Sequence, residues 1–371
     1  MVAHLVKHVD IVLALMHNLW YNNNGGDKVL IDKPLFDLLV KSAAKIKDDS
    51  ILGSKPYLVF DKDWIYFSDT ESVIGVVMSS EFEGVADAKK LLPLTSLKTD
   101  VVEVDFNGNF TFKTEKAQIT LPTTDYRKFD LPQVQTSFVL NAEEFKEAVK
   151  NVAFAASKEP AMVGLRNILI EFDDKIRFVA SDGFKLARYT LEETVENVPS
   201  RILLSPEILR NMAGFIKSDK IQVGFDKTKM IFAWEQEGYQ FVASLSIVQE
   251  SFPDYQKVFP QPKYEFHAKR KELQQALNFV MKVGASEMVK ALFDGDKLTL
   301  FADDETGKAQ IEVDIESNME EFKVIWNGVH VVQILSHLDD EFTGYFETDV
   351  SPELFVGENK EFLVTPMRGE W

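Results

Sequence analysis

One apolar pattern, repeated three times along 371 residues, constrains this chain more than any other feature of it. Phe36, Leu39, Val40, Ala43 and Ala44 stand at i, i+3, i+4, i+7 and i+8. Phe145, Ala148, Val149, Val152 and Ala153 repeat those offsets, and Leu273, Ala276, Leu277, Val280 and Met281 repeat them again. Each set predicts the core-facing stripe of an amphipathic helix. A short extended segment precedes each helix: Val29–Ile31, Ser137–Leu140 and Tyr264–His267. Strand-like pairs follow: Tyr57–Phe60 with Trp64–Ser68, Ile168–Phe172 with Ile176–Ala180, and Lys290–Phe293 with Leu298–Ala302. A second helix comes next, with Leu209, Met212, Ala213 and Ile216 spaced like Val331, Ile334, Leu335 and Leu338. Ala88, Leu91 and Leu92 form a weaker copy in the first repeat, where Pro93 is expected to distort or end the helix. Closing strands, such as Ile221–Phe225 with Ile231–Trp234 and Thr343–Phe346 with Leu354–Val356, complete an α+β unit made three times.

Turn chemistry sets the expected boundaries. Leu131-Pro132-Gln133 and Pro260-Gln261-Pro262 divide the chain into 28–132, 133–261 and 262–371. Residues 1–27 stand outside the repeat as an N-terminal extension. Leu5, Val9, Val12, Leu13 and Met16 share one helical face there, followed by the linker Asn22-Asn23-Asn24-Gly25-Gly26. The apolar run Ile11–Met16 is far shorter than the ~20 residues of a membrane-spanning helix, and Asp10 interrupts a signal-peptide pattern. The expectation is a cytoplasmic protein with no membrane partner.

Catalytic chemistry has little foothold. There are no cysteines, which excludes disulfides, thiol catalysis and Cys-built metal sites. Asp303-Asp304-Glu305 and Glu143-Glu144 read as turn and helix N-terminal acids rather than metal ligands. His4 and His8 share a helical face without a third ligand. Gly25-Gly26-Asp27-Lys28 and Gly307-Lys308 lack the spacing of a P-loop. The reading is therefore no enzyme, no cofactor and no metal, with a hydrolase using an unrecognised acid cluster as the outlying possibility.

Four motifs sit at defined places on the repeat. They are Leu121-Pro122 with Asp125-Tyr126, Ser181-Asp182-Gly183-Phe184-Lys185-Leu186-Ala187, Phe252-Pro253-Asp254-Tyr255-Gln256-Lys257-Val258, and Val364-Thr365-Pro366-Met367-Arg368. Together, over roughly residues 28–371, they resemble the bacterial DNA sliding clamp, the β subunit of DNA polymerase III, chromosomal or encoded by a phage or plasmid. The resemblance implies three clamp domains per chain, with helices lining a hole and antiparallel sheets outside. It also implies a ring closed as a homodimer around duplex DNA, a DNA polymerase processivity factor rather than an enzyme. A monomeric clamp-derived peptide-binding scaffold is the alternative.

The resemblance further implies a groove that takes short linear peptides from the replicative polymerase and clamp loader. By position it comprises Leu165, Ser181, Gly183, Phe184, Lys185 and Leu186, then Pro253, Lys257 and Val258, then Leu363, Val364, Thr365, Pro366, Met367 and Arg368. Phe184-Lys185 replaces a usual His-Arg, and Thr365 replaces a usual Met, which alters the preferred peptide. Gly369-Glu370-Trp371 extends past the usual end, and Trp371 is expected to fold into the groove or wall it.

Charge fits a ring around DNA. The chain carries 41 basic and 59 acidic residues, a net −18. The six expected lining helices, residues 33–47, 85–98, 141–157, 206–217, 269–283 and 328–338, hold 15 Lys and Arg against 7 Asp and Glu. They therefore carry +8, and the remainder −26. A basic interior attracts phosphates, and an acidic exterior suppresses non-specific contact. The DNA-facing candidates are Lys41, Lys45, Lys47, Lys146, Lys150, Lys158, Arg210, Lys217, Lys269, Arg270 and Lys271.

Overall fold

A computed structural model describes residues 28–48, 54–130, 132, 136–196, 198–226, 228–284, 286–303, 305 and 307–369. The expected N-terminal helix and linker, His4, His8 and Trp371 lie outside these residues, as does most of the first boundary motif.

Each repeat builds the same order of elements, except that the third adds a two-residue strand, β21. The first runs β1 (Lys28–Asp32), α1 (Lys33–Ala43), β2 (Tyr57–Asp61), β3 (Trp64–Ser68), β4 (Ser72–Val77), β5 (Gly84–Asp87), α2 (Ala88–Leu91), β6 (Val101–Phe106), β7 (Asn109–Lys113) and β8 (Gln118–Pro122). The second runs β9 (Thr136–Asn141), α3 (Ala142–Val152), β10 (Ile168–Phe172), β11 (Ile176–Ser181), β12 (Lys185–Leu191), β13 (Arg201–Leu204), α4 (Pro206–Phe215), β14 (Lys220–Asp226), β15 (Lys229–Gln236) and β16 (Tyr239–Ser246). The third runs β17 (Tyr264–Lys269), α5 (Arg270–Val283), β18 (Met288–Asp294), β19 (Lys297–Asp303), β20 (Lys308–Asp314), β21 (Glu316–Ser317), β22 (Phe322–Asn327), α6 (Gly328–Leu335), β23 (Glu341–Phe346), β24 (Glu353–Gly357) and β25 (Lys360–Val364). No helix among the described residues is long and apolar enough to cross a membrane.

The helical stripes are buried as their spacing dictates. Phe36, Leu39, Val40 and Ala43 are fully buried, as are Phe145, Ala148 and Val152, then Leu273, Leu277 and Val280. Each large apolar side chain removed from water contributes roughly 1.5–3 kcal/mol. Helix lengths differ from expectation. α1 stops at Ala43 instead of reaching Lys47, because the Lys45 and Ile46 N–H groups donate to Ser42 and Ala43 and tighten the last turn. In the first repeat the second helix lasts one turn, α2, and continues through Pro93 as a 3-10 turn at Leu92–Ser96. Proline offers no N–H for the α-helical ladder there.

By contacts the described chain divides into two compact units. One comprises the residues up to Ala142 together with Ile216–Ser246. The other comprises Glu143–Phe215 together with Ile247 onward. The first unit holds two antiparallel sheets, β1-β6-β7-β8 and β5-β2-β3-β4-β16-β15-β14-β9. The second holds β20-β19-β18-β22 and the nine-stranded β13-β10-β11-β12-β25-β24-β23-β17-β21. The longer sheets explain the split. β4 of the first repeat pairs with β16 of the second, and β12 of the second pairs with β25 of the third. Main-chain hydrogen bonds therefore cross the repeat boundaries and tie half of the second repeat to each neighbour.

Candidate peptide-binding site and basic helix faces

The second unit brings three of the four motifs together. Along the β12–β25 ladder, Lys185 lies opposite Val364 and Leu186 opposite Leu363. The Ser181–Ala187 turn and the C-terminal motif are therefore adjacent strands. Beyond the ladder, the Thr365 N–H donates to the Phe184 carbonyl at 2.8 Å, and the Met367 N–H donates to the Ile325 carbonyl at 2.7 Å. The last residues thus bridge the turn before β12 and the strand β22.

Gly183 makes that turn, at φ +91°, a region where a side chain is strained. Ser181 Oγ donates to the Lys185 carbonyl, and the Asp182 carboxylate accepts from the Phe184 and Lys185 N–H groups and from Lys185 Nζ. Burial pushes the Asp182 carboxyl up. The Lys185 ammonium and the two N–H groups outweigh it, holding the group below the usual carboxylate range. The turn pushes Phe184 outward, 61% exposed.

The third motif is held from below. Tyr255, in a 3-10 turn at Tyr255–Val258, donates its hydroxyl to Glu171 at 2.5 Å, and Glu171 also pairs with Arg201 at 3.0 Å. Gly164 lets the turn containing Leu165 approach this motif: a Cβ there would lie 2.1 Å from the Ser251 carbonyl oxygen. Leu165 packs against a buried cluster that includes Leu169, Leu186, Phe252, Tyr255 and Leu363.

The predicted groove residues therefore divide by depth. Ser181, Lys185, Leu186, Leu363, Val364 and Pro366 are buried and form a floor. Phe184, Pro253, Lys257, Val258, Thr365 and Arg368 are exposed, and Met367 is half-buried. Lys257 is tied to Asp254 at 2.8 Å. Sequence reasoning missed His330, on α6. Its ring lies 6.3 Å from Phe184, and burial followed by the nearby Lys185 charge lowers its pKa. Met162 and Val163, exposed beside Leu165, were also missed. Only the pairing of α6 and the 162–165 turn with the motifs reveals them, and no local pattern announces it.

The basic candidates lie mostly on surfaces and mostly in ion pairs. Lys41 stands 3.9 Å from Asp37, Lys146 2.7 Å from Glu143 and Lys150 2.9 Å from Glu147. Lys217 lies 3.8 Å from Glu237, Lys269 3.4 Å from Glu272, and Arg270 and Lys271 both face Asp340 at 2.6 and 3.8 Å. Lys45, Lys47, Lys158 and Arg210 are exposed, and no carboxylate among the described residues pairs with them. Exposed pairs of this kind are weak, about 0–1 kcal/mol, and exchange readily for phosphate contacts.

No protein-family model matches the chain. It is 23% identical over 263 residues to the beta sliding clamp of Escherichia coli K12, covering 67% of this chain and 70% of that one. It is 24% identical over 318 residues to the beta sliding clamp of Helicobacter pylori 26695, covering 79% and 82%. Among solved structures, the DNA polymerase III β subunit of Thermotoga maritima superposes with a TM-score of 0.82 at 21% identity, over 92% of this chain and 100% of that one. The chain thus has the fold of the DNA polymerase III β subunit and is similar in sequence to bacterial beta sliding clamps.

Proposed function

We propose that the chain is a DNA polymerase processivity factor. Two copies, each of three clamp domains at 28–132, 133–261 and 262–371, close a ring around duplex DNA in the cytoplasm. The ring catalyses nothing. It tethers the replicative polymerase, and takes its loader, through peptides bound beside Phe184, Val258, Thr365 and Met367.

The repetition of strand junctions carries this reading. β4, β12 and β20 occupy the same place in the three repeats, and so do β16, β25 and β8. β4 pairs with β16, and β12 with β25. The same rule leaves β20 to pair with β8, and both are sheet edges. Residues Val73–Val76 of β4 are buried, whereas in β20 Lys308, Gln310, Glu312 and Asp314 are exposed, and in β8 Gln118, Thr120 and Pro122 are exposed. An unpaired edge presents N–H and C=O groups that a matching strand satisfies. Joining β20 of one copy to β8 of a second, and the reverse, closes a two-fold ring. α5 packs on β20 and exposes Phe279 and Val283 toward solvent, apolar surface for such a junction.

Sedimentation equilibrium tests the ring: a dimer is expected at micromolar concentration, retained on nicked circular DNA and lost when the circle is cut. A monomer would overturn the ring and leave the peptide-binding scaffold.

A further inference from the structure

The chain holds three Asn-Gly pairs, Asn24-Gly25, Asn107-Gly108 and Asn327-Gly328. In such a pair the main chain can react with the asparagine side chain, because glycine has no Cβ to shield its own amide nitrogen. Asn24-Gly25 lies outside the described residues, and the fold treats the other two in opposite ways. Asn107-Gly108 lies in the turn between β6 and β7, and both residues are exposed. The hydrogen bond of that turn runs from the Asn107 N–H to the Asn109 carbonyl at 3.1 Å. It leaves the Gly108 N–H and the Asn107 side chain without a partner among the described residues. Gly108 stands at φ +69°, and a Cβ there would meet nothing within 4 Å, so the space around its nitrogen is open. Asn327-Gly328 is locked. Asn327 Oδ1 accepts from the His330 N–H at 3.0 Å as the cap of α6, and the Gly328 N–H donates to the Glu287 carbonyl at 2.7 Å. A Cβ on Gly328 would lie 2.4 Å from Met281 Sδ. There both reacting groups are held and the space is filled.

We propose that Asn107 is a site of spontaneous covalent modification, deamidation through a succinimide. The Gly108 nitrogen, losing its proton to hydroxide, forms a bond to Asn107 Cγ. The bond from Cγ to the side-chain nitrogen breaks, and that nitrogen leaves as ammonia. Water then opens the five-membered ring at either of its carbonyls. One opening gives aspartate, and the other gives isoaspartate, in which the main chain runs through the former side chain. Each product carries a negative charge that asparagine lacks, and isoaspartate also adds a carbon to the backbone between residues 107 and 108. The lengthened turn no longer suits the register that sets Phe106 opposite Phe110. Those rings lie 4.7 Å apart and both pack on Phe82, at 5.8 and 5.6 Å. Isoaspartate at this position therefore loosens the β6–β7 hairpin, a mark of molecular age written without an enzyme.

Peptide mapping by mass spectrometry tests this. The full chain is held at pH 8.5 and 37 °C, sampled over days and digested in mild acid, where further conversion is slow; each conversion adds about one dalton. In the folded chain the Asn107 peptide is expected to convert at least tenfold faster than the Asn327 peptide, to both aspartate and isoaspartate, which electron-transfer fragmentation separates. In guanidinium chloride the two rates should converge to within about threefold, because the fold no longer holds Asn327. An Asn107 peptide that stays unmodified while the unfolded chain converts would overturn the proposal, and so would equal rates at the two sites in the folded chain. Aspartate without isoaspartate would mark direct hydrolysis and overturn the succinimide route. Chains carrying isoaspartate, separated by ion exchange, are expected to unfold at a lower urea midpoint than unmodified chains; an equal midpoint would overturn the loosening of the hairpin.

Discussion

Glu353 shows how strongly one residue can be perturbed by its place in this fold. It opens β24 at 1% exposure, accepts from Trp326 Nε1 at 2.5 Å, and leaves Oε1 without a partner among the described residues. Burial pushes its carboxyl well above the ordinary value, outweighing the indole N–H that favours the charged form, so the native state favours the protonated acid. An unfolded glutamate releases it near pH ~4.3. Above that pH the native state binds more protons than the unfolded one, so stability falls as pH rises, by up to about 1.4 kcal/mol for each pH unit, until the folded pKa is passed. Glu353→Gln keeps the shape and cannot ionise. Its stability relative to the parent should increase from pH 5 to pH 8, measured by urea midpoints at both values. His337 acts in the opposite sense. Its pKa is lowered to about 4, so the unfolded imidazole holds the extra proton up to the ordinary value near ~6.5, and stability rises with pH across that window. Neither perturbation is visible in the local sequence, because each arises from residues far apart in the chain.

Among elements, the three helical stripes were legible because period 3.6 is a property of one segment and survives any tertiary context. Helix ends were less so. α6 begins where the Asn327 side chain accepts from the His330 N–H at 3.0 Å, and α2 begins where Asp87 does the same for Lys89 at 2.9 Å. Asn327→Ala should cost about 1 kcal/mol. Because the cap sits one turn from His330, it should also weaken binding of a polymerase-derived peptide. Chemical denaturation and peptide titration of the same variant measure the two effects. The strand register has its own local logic: Phe266 of β17 faces Gly344 of β23, where a Cβ would stand 2.1 Å from the Phe266 ring. That glycine admits the ring to a cluster with Phe293, Phe342, Phe346 and Phe355, a reason for its place that only the pairing supplies.

At the scale of the whole molecule, charge and repetition meet. A ring that slides needs contacts to phosphate without contacts to base edges, and lysines on helix surfaces suit that need. Replacing Lys41, Lys45, Lys146 and Lys150 together with Glu should abolish retention on nicked circular DNA. The change in stability should stay small, since Lys41, Lys45 and Lys150 are exposed and only Lys146 is half-buried. A filtration assay for retention, paired with a melting curve, reads both. Unchanged retention would show that these faces do not meet the duplex.

The sequence by itself determined the repeat, the α+β class, the core stripes of α1, α3 and α5, and the four motifs, because each is written in a contiguous segment. Tertiary structure decided the rest. It made Leu186, Leu363 and Val364 a floor rather than a contact surface, and brought His330 to Phe184. It left Lys158 and Arg210 without a carboxylate partner among the described residues, beside one cavity. It also divided the contacts into two units, with the β4–β16 and β12–β25 pairings joining parts of the second repeat to the first and to the third. Periodicity is local and can be read along the chain; pairing, burial and charge balance depend on what the fold brings alongside, and no segment carries that information alone.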